Sequence, residues 1–393
     1  MRVLFVGSET QQVTHIVYAL DRMGHEVAIY PQPIEKVLEK QSYIQNLCIF
    51  LQNNALDFVI SNIFNAYLAQ IAQDMDLRYV VYGMDSPMFP IYRHEKESKY
   101  STTYLFLPDR KECERLQKHG YTNVYHMPLG SDDYTAGNIS ISDEEIMKYQ
   151  CDISFVGSLY SDNIFDKNIA GIPASLQTDF GRILKSCALC WDGADRLSPQ
   201  LVPELIQEVK KVFPELEKKN TGMDDTEHLK YWFLDRKQTH IERTLLLELL
   251  SQYYDLRLYT WDHQIVPESV RCFPTVEFED SLKVYYSSRI NLNITLRSIE
   301  SGIPLRIFDI MSVGGFVLSN WQPEIPELFE EGKEIVTFKT PEEMMDKADY
   351  YLHHEEERQR IALNGYRKVK ECHTFEHRMD KIVSVIYPTP EMQ

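Results

Sequence analysis

Arg306 and Asp309 are the two residues whose types and spacing best suit chemistry on a charged ligand. They stand three positions apart in L-R-I-F-D-I-M, whose apolar spacing predicts a helix, so both side chains share one face. An arginine in the first turn can reach a phosphate, and a carboxylate one turn later can accept hydrogen bonds from the vicinal hydroxyls of a ribose. The alternative is a solvated ion pair, which contributes little to stability. Spacing alone does not separate the two interpretations.

The elements around this pair predict where its ligand would dock. Residues 290–295 read as a strand, residues 297–304 as a loop with Gly302 and Pro304, and residues 316–319 as the next strand. Gly314-Gly315 ends the helix between them. A loop that leads from a parallel strand into a helix N-terminus presents free N–H groups and the positive end of the helix dipole, so it predicts an anion site.

The string R-I-F-D-I-M-S-V-G-G-F-V-L-S-N-W, followed by E-L-F-E-E-G-K-E and Y-Y-L-H-H-E-E-E-R-Q-R-I-A-L-N-G, resembles the CgeB-like (spore-maturation type) glycosyltransferases. The resemblance covers residues 152–378 apart from an insert. It implies an α/β fold of the GT-B class, with two Rossmann-like parallel-sheet domains facing across a cleft. In related enzymes with an E-x7-E motif, the second acid binds the donor ribose and the first contacts the donor sugar. Asp309 matches the second acid, whereas Ser301 stands at the first, with Glu300 one residue out of register.

Composition excludes several classes of protein. The chain has 393 residues, enough for two or three domains, with 44% hydrophobic and 25% charged residues as in ordinary globular proteins. A formal charge of −18 argues against nucleic acid and anionic membranes as partners. No apolar run approaches the ~20 residues of a membrane span, and the N-terminus predicts no signal peptide. We therefore expect a cytoplasmic protein.

Cysteine and histidine patterns predict neither a disulfide framework nor a metal cofactor. The seven cysteines are scattered, as in reduced cytosolic proteins. Cys187 and Cys190 form C-A-L-C, but no second such pair exists, so inert thiols are the favoured interpretation. The sequence also lacks HExxH. We expect no metal and no cofactor besides a nucleotide-sugar substrate.

The first 132 residues predict a Rossmann-like, acceptor-side domain. A strand at residues 2–7, a helix and a second strand form a β-α-β opening without the dinucleotide fingerprint. Asp85 follows the buried strand at residues 78–83, at the strand end where ligands gather in open α/β sheets. A turn or N-cap role before Pro87 is the alternative. The charged helix at residues 110–119, which contains Glu112, reads as solvated.

A polar linker at residues 133–150 leads to a second domain at residues 151–372. That domain opens with a strand and F-V-G-S-L-Y, in which Gly157 lets a phosphate approach the backbone. Residues 161–253 lack strand patterns and are too long for an ordinary crossover, so they predict a helical insert. Residues 275–278 predict a short strand where a GT-B enzyme would meet the donor base. Residues 373–393 predict a helix that crosses back to the first domain.

Residues and resemblance together predict a metal-independent glycosyltransferase, of hexosyltransferase type, that uses a nucleotide-sugar donor. Asp85 is the predicted base and Arg306 the electrostatic catalyst. The acceptor, whether glycan, protein or small molecule, is open, and the insert could mediate a homodimer. A catalytically silent sugar-nucleotide or glycan-binding protein is the alternative. The predicted donor-binding residues are Gly157, Ser158, Tyr160, Thr275, Phe278, Arg297, Ser301, Gly302, Ile303, Arg306 and Asp309.

Overall fold

The computed structural model describes residues 1–7, 11–31, 41–213, 223–262, 266 and 268–388. The chain divides into two compact units. One comprises Met1–Asp132 with Cys372–Gln393, and the other comprises Asp133–Glu371.

The first unit contains a six-stranded sheet in the order β2-β1-β3-β4-β5-β6, with every pairing parallel. The strands are β1 Arg2–Gly7, β2 Glu26–Pro31, β3 Phe58–Ser61, β4 Arg78–Tyr82, β5 Thr103–Leu107 and β6 Val124–His126. Strands β1, β3, β4 and β5 are almost wholly buried. Helices on both faces account for their continuous apolar sequences.

The helices of the first unit begin where the chain supplies a cap or a turn. Asn65 and Asp109 each accept two backbone N–H groups at the start of a helix. The last helix packs in this unit, where Arg378 donates to the carbonyl of Leu129 at 3.0 Å. The helices are Gln11–Arg22, Gln41–Asn53, Ala66–Asp74, Phe89–Arg93, Glu95–Ser98, Arg110–Lys118 and Phe375–Ile386.

The second unit also contains a six-stranded parallel sheet, in the order β12-β11-β10-β7-β8-β9. Its strands are β7 Cys151–Val156, β8 Leu256–Thr260, β9 Arg271–Pro274, β10 Ser288–Asn293, β11 Val317–Asn320 and β12 Val336–Phe338. Outside the insert, the helices are Asp133–Asn138, Asp143–Tyr149, Phe278–Ser287, Leu305–Ser312, Ile325–Leu328, Pro341–His353 and Glu355–Cys372. The predicted class, two Rossmann-like parallel sheets with a helical insert in the second, is confirmed.

The insert between β7 and β8 folds around a hydrophobic core of its own, which includes Phe180, Val209 and Phe233. Its described residues form no strand. Its helices are Ile164–Asn168, Ala174–Cys187, Pro203–Val212, Asp225–His228 and Asp235–Ser251, with a π-helical turn at Leu229–Leu234. Cys187 and Cys190 are free thiols, as expected, and burial raises the pKa of Cys187.

Two local predictions are wrong. Residues 275–278 are not a strand: β9 ends at Pro274, and Phe278 already begins a helix with Glu279 and Asp280 in its first turn, where acids favour a helix start. Glu112 is not solvated, because it is only 1% exposed.

The polar stretch 133–150, predicted as a linker, contains two helices. The second begins at a capping box formed by Ser142 and Glu145.

Candidate functional site

The site is built at the carboxyl edge of the second sheet, where β7 ends in a loop that we call the glycine loop (residues 157–161). Gly157 has a φ of +146°, and its N–H donates to the carbonyl of Tyr259 at 2.9 Å. A Cβ at Gly157 would stand 2.3 Å from Nη2 of Arg306. The backbone conformation therefore requires glycine, and the guanidinium occupies the space that a side chain would take.

Asp262, just after β8, fixes the glycine loop. Its carboxylate accepts the hydroxyl of Ser158 at 3.0 Å, the N–H of Leu159 at 2.5 Å and the hydroxyl of Ser161. Burial alone would raise the pKa of Asp262, but these hydrogen bonds, with one from Thr260, hold that pKa below its usual value. The Ser158 hydroxyl is thus engaged within the protein, so this residue shapes the loop through its side chain and offers a ligand its backbone.

Tyr160 closes the glycine loop in the left-handed region, with a φ of +55°. Its N–H donates to the hydroxyl oxygen of Ser158 at 2.8 Å. The guanidinium of Arg243, which comes from the insert, lies 4.9 Å from the centroid of the Tyr160 ring. The predicted donor residue Tyr160 is therefore held in place by a cation–π contact.

Arg306 reaches the glycine loop from the helix Leu305–Ser312. Its Nη1 donates to Oδ1 of Asn293 at 2.8 Å, and its guanidinium lies 5.0 Å from the centroid of the Phe155 ring. Burial raises the pKa of the neighbouring Tyr285, and the charge of Arg306 opposes that shift. Within the described part of the chain, Arg306 forms no ion pair with a carboxylate, so its positive charge is uncompensated.

The helix Leu305–Ser312 begins beside this charge without a side-chain cap, since its N-cap is Pro304. The loop after β10, residues 294–304, leads into it and is called here the β10 loop. Gly302 and Ile303 are buried just before the helix start, and Asp309 is 8% exposed one turn inside. Uncapped N–H groups and a nearby guanidinium make this helix start suited to an anion, and the burial of Asp309 argues against a solvated ion pair.

Ser301 and Glu300 make separate contacts within the protein. The hydroxyl of Ser301 donates to Oε1 of Glu324 at 2.7 Å. The carboxylate of Glu324 therefore lies beside Ser301, which replaces the first acid of the E-x7-E motif. Glu300 accepts the hydroxyl of Tyr231 at 2.7 Å, and the ammonium of Lys230 lies 3.8 Å away. The insert therefore contacts the β10 loop at Glu300.

Arg297, a predicted donor-binding residue, is held by the insert. Its Nε donates to Oε2 of Glu242 at 2.8 Å, and its Nη2 donates to the carbonyl of Cys190 at 2.9 Å. Glu242 is fully buried and needs this partner, because an unpaired buried carboxylate is costly. Arg297 thus attaches the insert to the β10 loop, and its contact with the donor stays a prediction.

Thr275 and Phe278 follow β9 and are half-buried at the same carboxyl edge of the sheet. Their predicted contact with the donor base stays a prediction.

Asp85 lies in the first unit, in the turn after β4, and is exposed. The following helix, Phe89–Arg93, has Met88 as its N-cap, so the alternative of a capping role for Asp85 is wrong. Glu112 stabilises this turn through two hydrogen bonds: its carboxyl group accepts the N–H of Met88 and the hydroxyl of Ser86, both at 2.8 Å. Burial raises the pKa of Glu112 to about 7.

Sequence reasoning missed Arg243, Asp262 and Glu112. Asp262 could have been found by the rule that placed Asp85, because it also follows a strand end. Arg243 and Glu112 lie inside charged helices, and no local pattern distinguishes them from solvated neighbours.

Comparison with protein families gives one match, to the family described as Glycosyl transferase-like, over residues 237–384. This covers β8 to β12 and the helix that carries Arg306 and Asp309, but less than half of the chain. No curated protein matches.

Solved structures match nearly the whole chain at low identity. HepE from Anabaena, in complex with UDP and glucose, has a TM-score of 0.51 at 10% identity, covering 99% of this chain and 100% of that one. Sucrose-phosphate synthase from Thermosynechococcus elongatus has a TM-score of 0.54 at 8% identity, covering 98% and 99%. A glycosyltransferase from Rickettsia africae has a TM-score of 0.51 at 10% identity, covering 99% of each chain. This chain therefore has the GT-B fold of two Rossmann-like domains.

Within the described ranges, no helix is long and apolar enough to cross a membrane.

Proposed function

We propose that this protein is a glycosyltransferase whose second unit binds the diphosphate of a nucleotide sugar. The observation that carries the proposal is the uncompensated guanidinium of Arg306, which lies against Gly157 at an uncapped helix start. The chain has a net charge of −18, so an arginine without a carboxylate partner at this position favours the binding of an anionic ligand. The glycine loop and the β10 loop end neighbouring parallel strands, β7 and β10, so both can contact one ligand.

The proposed reaction breaks the bond between the sugar anomeric carbon and the diphosphate oxygen and forms a bond from that carbon to an acceptor hydroxyl oxygen. Negative charge develops on the departing diphosphate. Arg306 and the first N–H groups of its helix stabilise that charge because they are already in position. Asp309 accepts hydrogen bonds from the ribose, and Asp85 takes the acceptor proton. Ser301, Gly302 and Ile303 line the approach to the helix start.

Several finer features are part of this proposal. We propose a CgeB-like subtype that transfers a hexose, works in the cytoplasm without a divalent metal, and could dimerise through its insert. The one D-x-D of the sequence, at Asp74 and Asp76, belongs to the first unit rather than to the unit that holds the proposed nucleotide site, which favours metal independence. Turnover that is abolished by EDTA and restored by Mn²⁺ or Mg²⁺ would contradict it.

UDP is the first nucleotide to test, since HepE, which shares this fold, was solved with it. Calorimetry with UDP, followed by a panel of nucleotide sugars, should give binding by the wild type and a loss of about tenfold or more in Arg306→Ala. Arg182→Ala, which removes an exposed arginine bonded to its neighbour Asp179, is the matched control. Equal affinity of wild type and Arg306→Ala would remove this site from the proposal.

A silent nucleotide-sugar-binding protein is the second candidate, because Ser301 stands where related enzymes with an E-x7-E motif have the first acid. Slow hydrolysis of a bound donor without acceptor separates the two candidates. Only the transferase should release free sugar.

A further inference from the structure

Arg243 is a buried cation that the insert places between the two loops of the site. It belongs to the helix Asp235–Ser251 and is 3% exposed. Its Nη1 donates to the carbonyl of Ser158 in the glycine loop at 2.5 Å. Its Nε donates to the carbonyl of Ile294, the first residue of the β10 loop, at 3.0 Å, and Nη2 donates to the same oxygen. One planar guanidinium therefore spans both loops.

The bridging contacts fix a distance that no other side chain can set in the same way. The two carbonyls follow β7 and β10, which are neighbours in the sheet. Only a guanidinium presents several N–H donors in a rigid fork that can bind both at once, whereas a lysine offers one flexible ammonium. Fixing these carbonyls also fixes the backbone of Gly157 on one side and the start of the β10 loop on the other.

Neighbours of Arg243 in the insert helix also contact the two loops. Nδ1 of His240 lies 2.9 Å from the carbonyl oxygen of Leu159 in the glycine loop. Glu242 binds Arg297 at the beginning of the β10 loop. His240, Glu242 and Arg243 thus connect the insert to the site. Of these three residues, only Arg243 contacts both the glycine loop and the β10 loop.

Arg243 also adds positive charge at the site. Its guanidinium lies 5.2 Å from the Phe155 ring centroid, and that of Arg306 lies 5.0 Å from the same centroid. Burial, chiefly, lowers the pKa of Arg243 to about 10, and the nearby charge of Arg306 acts in the same direction. Like Arg306, it forms no ion pair with a carboxylate among the residues described here. The Tyr160 side chain and the carboxylate of Glu242 partly oppose the lowering of this pKa, but two neighbouring cations that form no ion pair still favour the binding of an anion.

We propose that Arg243 is a positioning residue for nucleotide binding, through which the helical insert sets the spacing of the glycine loop and the β10 loop. The inference rests on the proposed function, because it names what prepares that same site for a nucleoside diphosphate. It assigns the insert a role in donor binding that does not require contact with the acceptor.

The test is the affinity for UDP, measured by calorimetry on Arg243→Lys and Arg243→Ala, with thermal unfolding recorded for each. Arg243→Lys keeps the charge but cannot bridge both carbonyls, so UDP should bind about tenfold more weakly or worse. In Arg243→Ala, added guanidinium ion at low millimolar concentration should restore part of the lost affinity by filling the vacated space. Arg182→Ala, with or without the ion, should bind as the wild type does.

A general loss of stability would not respond to a small guanidinium ion in this way, so the rescue separates positioning from folding. If Arg243→Ala does not fold, Arg243→Lys alone decides the question. Wild-type affinity in Arg243→Lys, or a loss in folded Arg243→Ala that guanidinium does not reverse, overturns the inference. A wild type that binds neither UDP nor any nucleotide sugar overturns the proposed function instead.

Discussion

Arg306 and Gly157 are in such close contact that the glycine has no room for a side chain. A Cβ at position 157 would lie 2.3 Å from Nη2 of Arg306. The clash is with the end of a flexible side chain rather than with backbone, so the arginine can move aside.

Gly157→Ala should therefore impair both folding and nucleotide binding. The φ of +146° should cost about 1–3 kcal/mol of the free energy of unfolding, because an L-residue is strained there. The displaced Arg306 should weaken UDP binding by about tenfold or more. Denaturant unfolding and calorimetry measure the two effects. A variant that loses stability but keeps wild-type affinity would show that Arg306 does not bind the nucleotide from its present position.

Asp309→Asn should weaken binding of nucleotides that carry a ribose. A hydroxyl–carboxylate hydrogen bond is stronger than the neutral bond that asparagine offers, so a loss of about tenfold is expected. Asp349→Asn is the control, since Asp349 is an exposed acid on another helix of the same unit. Unchanged affinity in calorimetry would take Asp309 out of the site, as would an equal loss in both variants.

Asp85→Asn should lower kcat by about 10²–10⁴, the usual range for loss of a general base. The affinity for UDP should not change, because the proposed nucleotide site lies in the second unit. Stability should also hold, since the N-cap of the following helix is Met88. Initial rates, calorimetry and thermal unfolding test these three statements. A destabilised but fully active variant would make Asp85 a turn residue only.

Glu112 should give the protein a pH-dependent stability. The folded-state pKa is about 7, against 4.5 for the unfolded chain, so between these values the folded protein holds a proton that the unfolded chain releases. The free energy of unfolding should therefore fall as the pH rises from about 4.5 to about 7, by about 3 kcal/mol at most.

Glu112→Gln, which stays neutral, should lack this part of the pH dependence. The difference in unfolding free energy between wild type and variant separates the contribution of Glu112 from those of its charged neighbours, Asp109 and Arg115. Urea unfolding at several pH values measures the difference. A difference that stays constant across the window would mean that Glu112 is ionised in the folded protein.

Local sequence patterns determine the elements of this protein. The apolar run at residues 2–7 predicts β1 at the bounds that the structure has, and the run at residues 78–83 predicts β4 to within one residue. The insert is visible because its composition breaks the β-α rhythm. The segment with Arg306 and Asp309 is readable because strand, loop and helix start are consecutive there. In each case the determining forces act between residues close in the chain.

Only the tertiary structure decides which of these elements form the site. Asp262 binds Ser158 across 104 positions of the chain, Arg243 binds Ser158 across 85, and Glu242 binds Arg297 across 55. Glu112 reads as solvated because its neighbours in sequence are charged, yet its helix buries this carboxyl together with Cys113 and Leu116. Buried charges are satisfied by partners that the fold brings in from elsewhere. The sequence determines where strands end and helices begin, while packing decides which polar side chains meet there.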